Sequence, residues 1–231
     1  MSARSWARPR RSRICPSILS ADFSRLGDEI TGVARAGADF LHVDVMDGQF
    51  VPDLTFGPIL VRAMRRLTSL PLDVHLMIVE PLRFLEAFAA AGADHLIVHL
   101  EAVENPVLAL RAIRARGLRA GLSIKPGTDL VPYLRVLPEC DLALVMTVEP
   151  GKGGQPFLPG SPQRIAAVRE AIDQGNLDCL LGVDGGIDAG TAAIAARAGA
   201  DTFIAGNSIF GAGDPPQALR AVRAGTGEAR P

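Results

Sequence analysis

Short apolar runs alternate with longer amphipathic segments along the chain. The runs are five to seven residues long, and the segments between them repeat apolar residues at intervals of three and four. Such runs predict buried strands, and such intervals predict helices with one apolar face. The predicted strands begin at Ile14, Phe40, Leu72, His95, Arg119, Leu142, Cys179 and Asp201. The clearest predicted helices cover residues 56–68, 81–91, 103–116, 162–172 and 189–198.

The phrase Ala-Gly-Ala-Asp occurs three times, each time between a predicted helix and a predicted strand. Glycine after a helix is the usual left-handed cap, so the repeat indicates a recurring strand–helix unit. Eight units in about 220 residues predict an α/β fold, a single-domain (β/α)8 TIM barrel, because a doubly wound sheet usually has fewer strands. Active sites of such barrels lie at the C-terminal strand ends, so the aspartates of the repeats should be structural. They are Asp39, Asp94 and Asp201.

We place the barrel domain at residues 14–223. Residues 1–13 carry five arginines and no acid, and we expect a disordered basic extension there. The segment lacks the apolar stretch of a secretory signal, and an organelle-targeting peptide is the less favoured alternative. Residues 224–231 are expected to form a frayed C-terminal tail.

Composition narrows the class of protein. A net charge of -1 argues against nucleic acid as a partner, and no apolar run approaches the roughly 20 residues needed to cross a membrane. The three cysteines, Cys15, Cys140 and Cys179, form no CxxC pair and lie in apolar sequence. We expect reduced, buried thiols and a cytoplasmic location.

Four polar residues lie where apolar runs end: His42, Asp44, His75 and Asp184. His42 and Asp44 are two positions apart, so on a strand their side chains point to the same face. Two imidazoles and two carboxylates suit Zn²⁺, Fe²⁺, Mn²⁺ or Co²⁺ better than Ca²⁺, and the carboxylates can also transfer protons. A packed, hydrogen-bonded core histidine is the ordinary alternative for either imidazole, and convergence of all four residues would favour the metal.

Glycine-rich loops follow three neighbouring predicted strands. Glycine lets backbone N–H groups approach an anion, and barrels often bind phosphate in this region. Of the two lysines, we expect Lys152 to pair with phosphate and Lys125 to be a solvated rim residue rather than a Schiff-base lysine. The candidate phosphate-site residues are Gly151, Gly153, Gly154, Gly185, Gly186, Gly206 and Asn207.

Three methionines, Met46, Met77 and Met146, lie within or next to predicted strands. They are either core filler or an apolar lining that excludes water from the site.

Seven motifs together resemble, in order, those of the ribulose-phosphate 3-epimerase family. The resemblance runs from about Ile14 to Phe210. The motifs are PSILSAD at 16–22, HVDVMDG at 42–48, VPDLT at 51–55, DVHLM at 73–77, MTVEPG at 146–151, VDGG at 183–186 and AG at 205–206.

The resemblance implies a metal-dependent enzyme that interconverts D-ribulose 5-phosphate and D-xylulose 5-phosphate. It implies that His42, Asp44, His75 and Asp184 bind one divalent ion, with Zn²⁺ first among the candidates. It makes Asp44 and Asp184 also the acid–base pair that passes through a cis-enediolate. Ser17, His75, the three methionines and the loop residues would contact a ketose phosphate. His99 would lie behind the ligands, and homo-oligomers are expected.

Two positions depart from the family pattern: Lys152, where an aromatic is usual, and Asn207, where serine is frequent. Both fall in the phosphate region, so a 3-epimerase of D-allulose 6-phosphate is an alternative. A sugar-phosphate lyase or decarboxylase on the same scaffold would need the motif Asp-x-Lys-x-x-Asp. Neither lysine has an aspartate two residues before it, because Ser123 and Pro150 occupy those positions. A catalytically silent binding module is the third hypothesis.

Overall fold

The computed structural model describes residues 11–227 and contains eight parallel strands in one sheet. The strands are β1 Arg13–Pro16, β2 Leu41–Met46, β3 Leu72–Met77, β4 His95–His99, β5 Arg119–Ile124, β6 Leu142–Met146, β7 Leu180–Asp184 and β8 Thr202–Ala205. The α-helices of this part of the chain are α1 Leu26–Arg35, α2 Pro58–Arg65, α3 Leu85–Ala91, α4 Pro106–Arg114, α5 Leu130–Val136, α6 Ser161–Gln174, α7 Ala189–Arg197, α8 Asn207–Phe210 and α9 Pro215–Gly225.

The strand order makes the sheet a nearly closed barrel. Neighbouring strands pair in chain order from β2 to β8, and β8 pairs with β1. A parallel bridge between Ser17 and His42 connects β1 to β2. The predicted (β/α)8 barrel is therefore confirmed.

Side chains alternate between the inside of the barrel and the helix layer outside it. A small buried cluster that includes Cys15, Ile97, Leu144 and Ile204 fills the interior. The opposite strand faces, such as that of Val43, join the larger core beneath the helices. The strands are thus apolar on both faces, as expected for a parallel sheet covered by helices.

Predicted and observed strand starts agree to within one residue. β2, β7 and β8 each begin one residue later than predicted, and β1 begins one residue earlier. Helix limits differ more: the predicted helix 56–68 shrinks to α2, because Gly57 and Pro58 form its start. The predicted helix 81–91 divides into a 3₁₀ turn and α3.

The two ends of the described chain contact each other and the barrel. The expected extension 1–13 falls mostly outside the described residues, but Arg13 is already in β1. Arg223 of α9 donates a hydrogen bond to the Ser12 carbonyl at 2.9 Å, and Arg11 pairs with Asp39. Residues 11–13 of the expected extension therefore contact the barrel. The helix α9 continues to Gly225, and residues 228–231 of the expected frayed tail lie outside the described part.

Four aspartates at the N-terminal end of the barrel form a repeated clamp, which we call the aspartate–arginine ring. Each precedes an even-numbered strand and accepts a hydrogen bond from a backbone N–H of the preceding odd-numbered strand, at 2.8–3.1 Å. Each also pairs with an arginine from a helix. The pairs are Asp39 with Arg223, Asp94 with Arg65, Asp141 with Arg114 and Asp201 with Arg169.

The ring explains the sequence repeat. Its three predicted members are structural, as expected, and the glycine before each has positive φ: Gly37 at 96°, Gly92 at 100° and Gly199 at 109°. Asp141 has the same role without the Ala-Gly-Ala sequence, because a 3₁₀ turn precedes it.

The three cysteines are buried and free, as predicted. Among the helices of residues 11–227, none is long and apolar enough to cross a membrane.

Candidate active site

The pairing of β2 with β3 places two histidines and two aspartates side by side. His42 lies opposite Asp73, and Asp44 lies opposite His75. Because these positions share one face of neighbouring strands, all four side chains point into the barrel, and Asp44 and His75 are the two nearer its C-terminal end. Asp184 reaches the same place as the last residue of β7.

The four predicted ligands converge. His42 Nε2 lies 3.2 Å from Asp44 Oδ1 and 3.9 Å from Asp184 Oδ2, and His75 Nδ1 lies 3.3 Å and 3.6 Å from the same oxygens. All four ligand atoms lie within 4.8 Å of one another. Ligands about 2.1 Å from one tetrahedral ion would lie about 3.4 Å apart. The spacing of this donor cluster fits one ion.

The hydrogen bonding of the donor cluster also fits a cation. His42 Nε2 and His75 Nδ1 are buried, and neither has a hydrogen-bond partner. Buried polar atoms normally have one, so orphaned nitrogens aimed at two carboxylates need an explanation. A divalent ion would use both lone pairs and balance both negative charges.

The carboxylates and imidazoles shift one another's pKa values. Burial opposes charge on Asp44, but His42 and His75 hold its pKa well below the usual range. Burial likewise lowers the pKa of His42, but Asp44 and Asp73 raise it well above its usual value. The pKa of His75 is also raised, by Asp184 and Asp44 against burial. A metal entering the donor cluster would displace protons from the imidazoles.

Further polar groups lie behind the histidines. His42 Nδ1 is 2.7 Å from Asp73 Oδ2, and His75 Nε2 is 2.9 Å from His99 Nε2. His99 Nδ1 is in turn 3.2 Å from Glu101 Oε2. His99 therefore lies behind the ligands, where the resemblance puts it. The sequence reasoning missed Asp73, although its position two residues before His75 was a usable signal, and it missed Glu101, which lies in a turn without such a pattern.

Ser17 lies next to the donor cluster, just beyond β1. Its hydroxyl donates to Asp44 Oδ2 at 2.5 Å. The other carboxylate oxygen of Asp44 is the one that faces His42 and His75. Ser17 thus orients Asp44 so that one oxygen is free for an ion.

A cavity of about 910 Å³ opens above the donor cluster at the C-terminal ends of the strands. Asp44 and Asp184 reach it, whereas His42 and His75 are fully buried behind them. The predicted substrate contacts other than His75 all line the cavity: Ser17, Met46, Met77, Met146, Gly151, Gly153, Gly154, Gly185, Gly186, Gly206 and Asn207.

The glycine loops lie on one side of the cavity. Gly186 has φ of 64°, and a Cβ atom there would lie 2.5 Å from the backbone nitrogen of Phe157. This contact requires glycine and brings the loops after β6 and β7 together. Ser20, which the sequence reasoning did not select, lines the cavity near Gly206.

The two lysines occupy different positions. Lys152 lines the cavity beside the glycine loops. Lys125 Nζ lies 3.8 Å from the centre of the Phe50 ring, a cation–π contact at the rim.

The barrel and the donor cluster beneath an open cavity define a class: barrel enzymes with a candidate divalent-metal centre. A model of the ribulose-phosphate 3 epimerase family matches residues 13–210. The chain belongs to this family and is an enzyme of the isomerase class.

Relatives and solved structures agree with this assignment. The chain is 51% identical to the ribulose-phosphate 3-epimerase of Mycobacterium tuberculosis over 94% of this chain and 93% of the relative. It is 45% identical to that of Bacillus subtilis over 91% and 98%. A crystal structure of KGPDC from Streptococcus mutans superimposes with a TM-score of 0.71 at 16% identity, covering 94% and 98% of the two chains. That likeness shows the fold alone.

Proposed function

We propose that the chain is a metal-dependent 3-epimerase that interconverts D-ribulose 5-phosphate and D-xylulose 5-phosphate. The observation that carries the proposal is the convergence of His42, Asp44, His75 and Asp184 within 4.8 Å beneath a glycine-lined cavity. The relatives named ribulose-phosphate 3-epimerase support the choice of substrate.

The donor cluster would hold one divalent ion, with Zn²⁺ preferred and Fe²⁺, Mn²⁺ or Co²⁺ as alternatives. When bound, such an ion would supply Lewis-acid chemistry without any redox change. The remaining steps belong to the side chains around the cavity.

Asp44 and Asp184 form the acid–base pair in this proposal. Inversion at carbon 3 requires one proton to leave from one face of the substrate and another to arrive at the opposite face. Asp44 lines the cavity and turns one carboxylate oxygen towards the donor cluster, so it can accept a proton from a substrate bound there. Asp184, with a side chain 14% exposed, reaches the cavity from β7 and supplies the second carboxyl group.

The other cavity residues bind and shield the substrate. Met46, Met77 and Met146 form apolar walls that exclude water from the charged cis-enediolate between the two proton transfers. The Ser17 hydroxyl, beside Asp44, would contact the sugar oxygens. The glycine loops would offer backbone N–H groups to the phosphate, with Lys152 adding a positive charge.

Two other substrates or reactions are kept as alternatives. D-allulose 6-phosphate would use the same chemistry, and the departures at Lys152 and Asn207 both line the cavity. A lyase or decarboxylase is disfavoured, because Lys125 Nζ lies over Phe50 rather than in the acidic motif that such enzymes carry.

The decisive experiment assays the Zn²⁺-, Fe²⁺-, Mn²⁺- and Co²⁺-loaded protein on ribulose 5-phosphate and allulose 6-phosphate side by side in D₂O. We expect higher kcat/KM on the pentose, with deuterium incorporated at carbon 3 and no loss of carbon. A preference for the hexose would select the alternative epimerase, and cleavage or decarboxylation would select the lyase. No turnover with any of the four metals would favour the silent module.

We also propose a homo-oligomer in the cytoplasm. The resemblance to the family implies the oligomer, and Leu54, 80% exposed, and Ile59, 83% exposed, are the residues that we assign to the subunit contact. The buried free thiols support a reducing compartment. Light scattering coupled to size exclusion would test the oligomer, and a monomeric mass would contradict it.

A further inference from the structure

The two histidines of the donor cluster turn different nitrogens towards its centre. His42 presents Nε2, and His75 presents Nδ1. A neutral imidazole that binds a metal through one nitrogen carries its proton on the other. His42 must therefore carry a proton on Nδ1, and His75 must carry one on Nε2.

The proton of His42 has a carboxylate acceptor. Asp73 Oδ2 lies 2.7 Å from His42 Nδ1, and Asp73 is completely buried. The second oxygen of Asp73 lies 3.3 Å from His95 Nδ1 on the next strand. This is the usual support of a metal-binding histidine.

The proton of His75 has a less common acceptor, the imidazole of His99. If His75 Nε2 donates, His99 Nε2 must present a lone pair, and the proton of His99 must be on Nδ1. That nitrogen faces Glu101 Oε2 at 3.2 Å. The reverse arrangement, with His99 donating to His75, would put the proton of His75 on Nδ1, where it would face the carboxylates and block a metal.

Hydrogen bonds hold the Glu101 carboxylate in a position where it can accept the proton of His99. Its other oxygen accepts hydrogen bonds from the backbone N–H of Lys125 at 2.8 Å and from the Thr128 hydroxyl at 2.5 Å. Burial opposes its charge, but His99, Thr128 and the Lys125 backbone lower the pKa of Glu101 to about 2. His99 is itself completely buried, with the Phe50 ring centre 4.9 Å from its own. The acceptor chain is thus preorganised.

We propose that His99 and Glu101 are a positioning pair that sets the tautomer and orientation of His75 for metal binding. The pair has the same role for His75 that Asp73 has for His42, but His75 contacts the neutral ring of His99 rather than a carboxylate. The inference rests on the proposed metal-dependent function. The inference also implies that His42, which has a carboxylate behind it, donates more electron density to the metal than His75, which has a neutral ring behind it.

The tautomers can be read directly by long-range ¹H–¹⁵N spectra of Zn²⁺-loaded protein labelled in histidine. The chain has four histidines, so the spectrum is simple, and His99→Gln assigns the signals of His99. We expect protonated Nδ1 in His42 and His99 and protonated Nε2 in His75. A proton on Nε2 of His99 would overturn the inference.

Metal affinity gives an independent test. Co²⁺ is titrated into the metal-free full-length protein and followed by its visible absorption, with chelator competition to obtain Kd. We expect His99→Leu to weaken binding by about 10–100-fold, the usual effect of removing such a support. His99→Gln, whose amide oxygen can accept from His75 and whose NH₂ can donate to Glu101, should restore most of the affinity. Glu101→Gln provides a second variant should His99→Leu fail to fold, with an expected loss of about 10-fold.

Tyr133→Phe is the matched control. Its buried hydroxyl donates to the Leu122 carbonyl in the barrel wall at 2.9 Å, so its loss affects stability without touching the donor cluster. Wild-type metal affinity in His99→Leu, or an equal loss of metal affinity in Tyr133→Phe, would overturn this inference and leave the proposed function standing. Failure of the wild-type protein to bind Co²⁺ or Zn²⁺ would instead overturn the proposed function, and this inference with it.

Discussion

Both ends of the barrel carry buried or partly buried aspartates, but their partners differ. In the aspartate–arginine ring, each carboxylate meets a guanidinium and a backbone N–H, as Asp39 does with Arg223 and Ile14. In the donor cluster, among the described residues, the ion-pair partners of Asp44 and Asp184 are histidines. Each carboxylate of the ring has a fixed cation beside it, whereas the donor cluster leaves two imidazole nitrogens without a hydrogen-bond partner.

This difference separates a structural carboxylate from a functional one. A carboxylate whose oxygens accept from a guanidinium and a backbone N–H has fixed donors as partners, so it secures strands. A carboxylate among imidazoles can share a metal or a proton, because the partners can themselves change protonation state. The two ends of one fold therefore use the same residue type for opposite purposes.

The largest expected effect is at the donor cluster. Asp184→Asn removes one acid–base group and one metal ligand, so we expect kcat to fall by at least about 10³-fold. The measurement is steady-state epimerisation with metal content determined in parallel. Asp94→Asn, in the ring, is the matched control and should keep near wild-type kcat once folded. Epimerisation by Asp184→Asn at near wild-type rate would remove the two-base scheme.

The next effect is at the ring. Asp39→Asn keeps an acceptor for the Ile14 amide but leaves the Arg223 charge buried, since both side chains of the pair are only 5% exposed. We expect the free energy of unfolding to fall by about 3 kcal/mol, measured by urea denaturation, with kcat of the folded protein unchanged. A variant of unchanged stability but reduced kcat would reverse the roles assigned to the two ends.

A smaller effect is expected at the edge of the cavity. Lys152→Met removes the positive charge beside the glycine loops, so KM should rise about 10-fold with kcat little changed, as expected for loss of uniform binding. Lys125→Met, at the other lysine, should leave both constants near wild type. Equal kinetics in Lys152→Met and wild type would exclude Lys152 from phosphate binding.

The smallest effect concerns Glu101. Its carboxylate is held by neutral donors, so it resembles neither the arginine-bound aspartates of the ring nor the aspartates of the donor cluster. Its folded-state pKa of about 2 is below the ordinary value of 4.5, so its stabilisation is present above pH 4.5 and is lost as pH falls towards 2. We expect metal-free wild type to exceed Glu101→Gln by about 1 kcal/mol at pH 7, a value reduced for partial solvent exposure. The difference, measured by urea denaturation, should shrink at pH 3. A difference that grows on acidification would contradict the assigned ionisation.

The sequence was sufficient for the repeated unit and for much of the site. Strand positions followed from apolar runs, because parallel strands covered on both faces have no polar side. The four candidate ligands followed from polar residues at the ends of those runs. His42 and Asp44 could be assigned to one face because side-chain alternation is a local property of the chain.

What the tertiary structure decided is everything that depends on register between strands. Asp73 supports His42 only because β3 pairs with β2 so that the two lie opposite each other. The contact of His75 with His99, and that of Asp141 with Arg114, likewise joins residues of different elements. The chain by itself determined which residues face inwards, because backbone geometry fixes that locally. Closure of the barrel determined which of them meet, because packing of the whole sheet sets the distances between strands.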